Sequence, residues 1–304
     1  MCGTTMETWL TSYIMMIGAV CLQKEINKSI NKIMKVMKII INADDLGKNK
    51  EMNDAISTCL QRGLITSSTI MAGGDNFDEG VATALSHPEC SFGVHLSLDE
   101  YHSITSNEKL KQIGVIDENG DFVRHAFTHF WPYTQMVLDA VYEEWRAQIQ
   151  KVKDAGIMVS HLDSHHHIHM YKPLFPVFVK LLQEFGIKKA RPCGRKSFPM
   201  LFHNMNEKTT LGGDRIGGVK GLLVELKKYL SDTIWLLKLH DYAKTSDYFC
   251  QYLYFMNNYE IINKSFADSV VEVMVHPGHP LYDEETKLLE ALPSDCTKIT
   301  YNDL

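Results

Sequence analysis

His161-Leu-Asp-Ser-His-His-His-Ile-His-Met170 is the stretch on which the reading of this chain turns. Five histidines and an aspartate fall within ten positions, directly after a short apolar lead-in, Gly156-Ile-Met-Val-Ser160. On an extended backbone side chains alternate between faces, so His161, Asp163 and His165 are expected on one face, where three proton- or metal-handling groups converge. A polar loop with a chance run of histidines, or a residual affinity tag, is the plain alternative. A tag belongs at a terminus, however, and needs no apolar segment before it. Imidazole is the commonest metal ligand, so the stretch reads as a site at the end of a strand.

The flanks support that reading. Upstream, Met136 to Ala155 places Val137, Ala140, Val141, Trp145, Ile149 and Val152 at three- and four-residue spacing, which predicts an amphipathic helix whose Trp and Val residues serve the core. Downstream, Pro173 to Phe185 predicts a second helix closed by Gly186. The same alternation runs through the first half of the chain. Lys38-Ile-Ile-Ile-Asn-Ala43 is a continuous apolar run, as in a strand buried on both faces, and it ends in Asp44-Asp45-Leu-Gly47. Helical spacing over 51–62 follows, then a β-branched strand at 65–71, a helix over 78–86 and the strand Ser91-Phe-Gly-Val-His-Leu-Ser-Leu98. Residues 99–134 form a long polar connection, of the kind that usually carries function. Beyond Arg191, at the end of a short strand, 195–220 is loop-like. A helix is expected over 219–239, an aromatic-rich stretch over 241–255, a short helix over 258–269, and the apolar strand Val270-Val-Glu-Val-Met-Val275, which ends in His276.

Four apolar strands, 38–43, 91–94, 157–162 and 270–275, thus finish in Asp44 and Asp45, His95, Asp163 and His165, and His276. In alternating βα architectures the catalytic groups collect beyond the C-terminal ends of parallel strands, so one shared site is expected. Any single pair could be a buried structural ion pair. Four coincident strand ends argue for a site.

The 304-residue chain carries a net charge of −6 with no basic block, which speaks against nucleic acid or an anionic membrane as partner. Seven cysteines at 2, 21, 59, 90, 193, 250 and 296 form no Cys-x-x-Cys pair, and a reducing, cytoplasmic compartment is expected. Trp9 to Leu22 imitates a signal or anchor segment but is too short to span a bilayer and lacks a basic lead, so no stable membrane insertion is expected. Met37 stands just before the first apolar strand. Residues 1–36 are therefore read as an extension outside a single domain of residues 37–304.

Asn42-Ala-Asp-Asp-Leu-Gly47, Gly93-Val-His-Leu-Ser-Leu98, His161-Leu-Asp-Ser-His-His-His-Ile-His169 and Val273-Met-Val-His-Pro277 together resemble the successive motifs of the YdjC-like family, which includes chito-oligosaccharide deacetylases. The resemblance covers about residues 37–290 and leaves out the N-terminal extension. It implies a distorted (β/α) barrel with parallel strands, similar in architecture to the polysaccharide deacetylases. It also implies one divalent metal ion bound by Asp45, His95 and His165, with Asp44 as catalytic base and His276 stabilising or protonating the reacting groups. Magnesium is the family's precedent, whereas the imidazoles suit zinc equally. Arg191 would orient a carboxylate, and His166, His167 and His169 would support or pack the site. The implied substrate is a small N-acetylated oligosaccharide of the diacetylchitobiose type, as in chitin degradation, for which Tyr101, Trp131 and Tyr133 could supply stacking faces. A homodimer is implied by the same precedent. Two other readings stay open at this level. A metal-dependent phosphoester hydrolase would show a second metal's ligands and a cationic phosphate clamp, and a non-catalytic sugar-binding protein would be expected to lack the base.

Overall fold

The computed structural model describes residues 36–124, 133–192 and 218–304; the proposed extension up to residue 35, Trp131 and residues 193–217 lie outside them. Strand β1 (Met37–Leu46) is buried at every position except Lys38, because both of its faces are covered. It leads into α1 (Lys50–Gln61), whose N-terminus is capped by the Asn49 side chain accepting from the Met52 amide at 2.9 Å. Next come β2 (Ser67–Ile70), α2 (Phe77–Leu85) and β3 (Ser91–Leu96), followed by the short α3 (Glu108–Gln112) inside the long connection. Helix α4 (Gln135–Asp154) buries the six apolar residues that its spacing predicts. It delivers the chain to β4 (Val159–Ser164), and α5 (Phe175–Phe185) follows, stopped by Gly186 in the left-handed conformation at φ 66°. The C-terminal third holds α6 (Gly218–His240), β5 (Tyr248–Gln251), α7 (Tyr252–Asn257), α8 (Tyr259–Phe266), β6 (Val270–Val275), α9 (Asp283–Leu288) and β7 (Cys296–Lys298).

Among the described residues every strand pairing is parallel, in the order β4-β3-β2-β1-β6-β5, with β7 beside the first residues of β1. Between β4 and β5, among the described residues, the wall continues only as isolated parallel bridges, Leu162 with Ala190 and Lys189 with Lys244. The sheet is therefore a half-barrel wrapped by helices, distorted on the side where pairing thins out. The predicted helices at 51–62, 78–86, 136–155 and 219–239 lie within one or two residues of the observed ones. The aromatic stretch 241–255 resolves into β5 and α7, and the helix expected over 258–269 spans only Tyr259–Phe266.

Two side chains of α4 hold the described first part of the long polar connection and the strand end before it. Glu144 is fully buried and accepts from the Ile104 and Thr105 amides at 2.9 and 3.0 Å and from the Ser103 hydroxyl at 2.7 Å. One turn on, Gln148 pairs with the backbone of Ser97, accepting from its amide and donating to its carbonyl, both at 2.9 Å. A loop without periodicity of its own is thus held by helix side chains that satisfy its backbone.

The histidine stretch departs from the alternating pattern. Extended structure stops at Ser164, and His165–Met170 is a 3₁₀ turn in which His166 and His167 have left-handed φ values of 48° and 56°. Alternation therefore holds for His161 and Asp163 but does not carry His165 on to the same register. His161 stacks on Tyr301, ring centroids 3.5 Å apart, and lies outside the metal-capable groupings. Its ring also explains Gly93 on the neighbouring strand, where a Cβ would come within 2.7 Å of His161 Cε1.

Candidate functional site

The site begins where β1 stops being regular. Its register against β2 shifts between Ala43 and Leu46, and Asp45 takes a left-handed φ of 71°, which aspartate tolerates better than most residues. On a regular strand Asp44 and Asp45 would point to opposite faces. Here both reach one imidazole: His95 Nε2 lies 3.3 Å from Asp45 Oδ1 and 4.0 Å from Asp44 Oδ2.

His165 Nδ1 closes the group, 3.0 Å from the same Asp45 Oδ1. Asp45, His95 and His165 are all buried, and one ligand atom of each lies within 4.8 Å of the others. Asp45 Oδ1 nevertheless has no hydrogen-bond partner, since neither nearby nitrogen approaches it with the required geometry. The outer nitrogens are engaged instead. His95 Nδ1 lies 2.7 Å from Asp163 Oδ1 and 3.1 Å from Thr69 Oγ1, and His165 Nε2 lies 3.1 Å from Glu100 Oε2. A carboxylate only accepts, so in the neutral rings these outer nitrogens carry the proton and the inner ones turn lone pairs toward Asp45. One carboxylate oxygen and two imidazole lone pairs facing a common point fit a divalent cation.

Without a cation the same arrangement attracts protons. Burial opposes charge on His95, but the Asp163 carboxylate overrides it and pushes the ring up to about 10. His165 is likewise opposed by burial and raised to about 9 by Asp45 and Glu100. Asp45 Oδ2 is held by Lys48 Nζ at 3.0 Å, and that ammonium also reaches Glu100 Oε2 at 3.1 Å. The hydrogen bond from His165, together with Lys48, brings Glu100 down to about 2.

Beneath the triad sits a fully buried arginine. Arg191 grips Asp44 with two nitrogens, at 2.7 and 2.6 Å, and also contacts Asp163 Oδ2 at 2.8 Å and Glu272 Oε1 at 2.6 Å. Burial alone would raise the Asp44 carboxyl, yet Arg191 beside it, with His95 and His276 further off, holds it well below the usual range. Tyr301 donates to Glu272 at 2.5 Å and so ties the chain's last turn into the same network.

Two other Asp/His groupings could hold an ion, Asp44 with His95 and Asp163, and Asp99 with His165 and His166. In the first, both carboxylates are already bound by Arg191; in the second, Asp99 pairs with His166, and His165 Nε2 faces Glu100. His276 follows β6, and its Nδ1 lies 3.6 Å from Glu285 Oε2. His167 is held neutral, pushed down to about 3 by burial and the Arg191 charge, with Phe249 edge-on to its ring. His169 is bonded to Ser164.

Lys48, Glu100, Glu272 and Glu285 were not anticipated as part of the site. Glu272 had a signal: a lone acid in Val270-Val-Glu-Val-Met-Val275, a run read as buried, requires a buried partner. Tyr101, beside Glu100, lies under Lys48 Nζ at 5.6 Å from its ring centre. Tyr133 is only partly buried, packed against the core.

Comparison with known proteins agrees with this architecture. A carbohydrate deacetylase of Oceanobacillus iheyensis is 34% identical over 163 residues, 54% of this chain and 68% of that one. Carbohydrate deacetylases of Vibrio campbellii and Brevibacillus brevis are 33% and 31% identical, over 50% and 51% of this chain and 57% and 60% of theirs, so the matched stretch spans little more than half of either. In fold, a solved Enterococcus faecalis protein named for cellobiose-phosphate cleavage superposes with a TM-score of 0.64 at 23% identity, covering 88% of this chain and 98% of that one. Residues 38–300 match the family described as YdjC-like protein, and the chain belongs to that family.

Proposed function

We propose that this chain is a metal-dependent carbohydrate deacetylase that hydrolyses the N-acetyl group of a short N-acetylated sugar, of the chito-oligosaccharide or diacetylchitobiose type, to acetate and an amino sugar. The observation that carries the reading is Asp45 Oδ1, buried without a hydrogen bond between two imidazole nitrogens, with an arginine-held second aspartate beside it on the same strand. The names of the similar deacetylases point to the same chemistry. Asp45, His95 and His165 would hold one divalent ion; two imidazoles suit zinc, and magnesium is the family's precedent. Such an ion, when bound, polarises a carbonyl oxygen and acidifies a water molecule.

The remaining work falls to the protein. Arg191 keeps Asp44 ionised and fixes its direction, so the carboxylate is always ready to accept a proton. The same pairing lowers its basicity, and Asp44 therefore accepts only from a donor already made acidic. His276 would supply a proton to the departing amine or steady the developing oxyanion, a role worth ~10²–10⁴-fold in rate for a placed general acid. Lys48 and Arg191, the buried cations of the site, are both taken by carboxylates, which leaves neither as a phosphate clamp. Tyr101, beside Glu100, would offer a ring face to a sugar.

The test is to incubate the metal-loaded protein with N-acetylated mono-, di- and trisaccharides, phosphoesters and an acetyl-lysine peptide, measuring acetate and phosphate. Acetate from the sugars alone is expected. Phosphate release would promote the phosphoester hydrolase instead, and silence across the panel with metal bound would leave a sugar-binding protein. Three expectations belong to the same proposal: a homodimer, to be checked by scattering in solution; a cytoplasmic location, to be checked by fractionation; and a domain that needs only residues 37–304, to be checked on a chain begun at Met37. Among the described residues no helix is long and apolar enough to cross a membrane.

A further inference from the structure

One buried acid takes no part in the metal grouping or in the Arg191 network. Glu285, in α9, is 1% exposed, and among the described residues neither of its carboxylate oxygens has a hydrogen-bond partner. His276 Nδ1 lies 3.6 Å from its Oε2, and that nitrogen is likewise buried and without a hydrogen-bond partner among the described residues. Taking a carboxylate out of water without hydrogen bonds is strongly unfavourable. A structural role would be served better by leucine, which fills similar space at no such cost. The pair stands a few tenths of an ångström beyond hydrogen-bond range, so a small shift of the ring joins them.

The surroundings leave the ring little other choice. Tyr282 stacks on His276, centroids 4.5 Å apart at 23°, and His279 lies edge-on at 6.3 Å. Behind it the chain is pressed onto α1: Gly278 has φ 82°, and a Cβ there would come within 2.7 Å of the Glu51 carbonyl oxygen and 3.0 Å of the Ala55 Cβ. Asp44, the other carboxylate whose field His276 shares, is already bound by Arg191. That leaves Glu285 as the acceptor on the Nδ1 side.

We propose that Glu285 is the positioning residue of His276, accepting from Nδ1–H and thereby selecting the ring orientation and tautomer in which Nε2 faces the reacting atoms. This rests on the deacetylase reading for what His276 does. As the bond between the acetyl carbon and nitrogen breaks, the Nε2 proton passes to the departing amine, and the ring is left neutral with Nδ1–H still directed at Glu285. An unpaired buried acid retained at a cost in stability is what such a role requires.

The experiment compares the full-length protein with Glu285→Leu and Glu285→Gln in two measurements. The first is nitrogen NMR of histidine-labelled protein without substrate, with His276 assigned through His276→Gln. The second is kcat, KM and thermal midpoint on the N-acetylated sugar. Expected for Glu285→Leu are a thermal midpoint equal to or above that of the parent, loss of the Nδ1-protonated signature of His276, a kcat lower by about 10–100-fold and a KM within about twofold. Glu285→Gln, whose side-chain oxygen can still accept, should keep most of both. An unchanged His276 signature in Glu285→Leu, or a fall in stability with KM and kcat moving together, overturns the proposal. The NMR measurement needs no turnover. If no form of the protein releases acetate, the deacetylase reading fails while the pairing of Glu285 with His276 is still decided.

Discussion

Replacing Arg191 with leucine removes the cation that three buried carboxylates share. The guanidinium is fully buried and contacts Asp44 at 2.6 and 2.7 Å, Asp163 at 2.8 Å and Glu272 at 2.6 Å. Taking one partner from a buried ion pair costs about 3–5 kcal/mol, because the other charge is left uncompensated. Three are left here, with Asn42 on Asp44, Thr69 and His95 on Asp163, and Tyr301 on Glu272 as the remaining donors. The expected loss is at the top of that range, about 5 kcal/mol, comparable to the whole stability of a weakly stable domain. Lysine keeps the charge but not the two-pronged grip on Asp44, so Arg191→Lys should lose roughly half as much. The pH dependence gives a second check. In the parent, Arg191 outweighs burial and holds the Asp44 carboxyl below its ordinary 3.8, so this stabilisation is fully present above that pH and is lost as the pH falls below it. In the variant Arg191 no longer outweighs burial, so the native carboxyls take up protons more readily than in the parent. The gap between parent and variant should therefore be widest near neutrality and narrow on acidification. Urea unfolding followed by tryptophan fluorescence at pH 7 and pH 4.5, with chelator present, measures both. A loss under about 1 kcal/mol at pH 7, or a gap that widens toward acid, would refute the view of Arg191 as the charge that holds this network.

Three further outcomes are expected. His95→Ala and His165→Ala should lose bound metal and activity together, whereas Asp44→Asn should keep the metal, by elemental analysis, while losing at least about 100-fold in rate; metal retained by both alanine variants would dismiss the ligand set. Burial, reinforced by the Arg191 charge, holds His161 well below its usual 6.5, so the stability this neutral ring confers is present above pH 6.5 and is lost as the pH falls, at up to about 1.4 kcal/mol per pH unit. His161→Gln should flatten the acid limb of the stability curve by that amount, and an unaltered slope would count against it. Glu144→Ala should free the Ile104 and Thr105 amides for rapid hydrogen exchange and cost about 2–4 kcal/mol, since two backbone donors and the Ser103 hydroxyl lose a buried charged acceptor; protection unchanged at both amides would show that the loop is held elsewhere.

What could be read without coordinates follows a physical division. β1, β3 and β6 were visible because a strand covered on both faces is mostly apolar along its length, β4 only through the short apolar lead-in to its histidines, and Asp45, His95, Asp163 and His276 stood out as the polar residues that end or follow such runs. β7 was invisible because three residues pairing with the start of β1 leave no pattern, and β5 with α7 was hidden because aromatic residues suit strand and helix alike. His161 was grouped with His165 because alternation was carried past Ser164, and the left-handed His166 and His167 that follow are set by tertiary packing around Asp99 and Phe249. The charge network was legible only as a demand. Glu272 within an apolar strand requires a cation, yet Arg191 lies 81 residues away and meets it only because the bridge between Leu162 and Ala190 brings that arginine across the open side of the barrel. The weakest part of the wall thus carries the arginine on which Asp44 depends, and mutations that loosen the Leu162–Ala190 bridge should reach the site through Arg191 before they unfold the sheet.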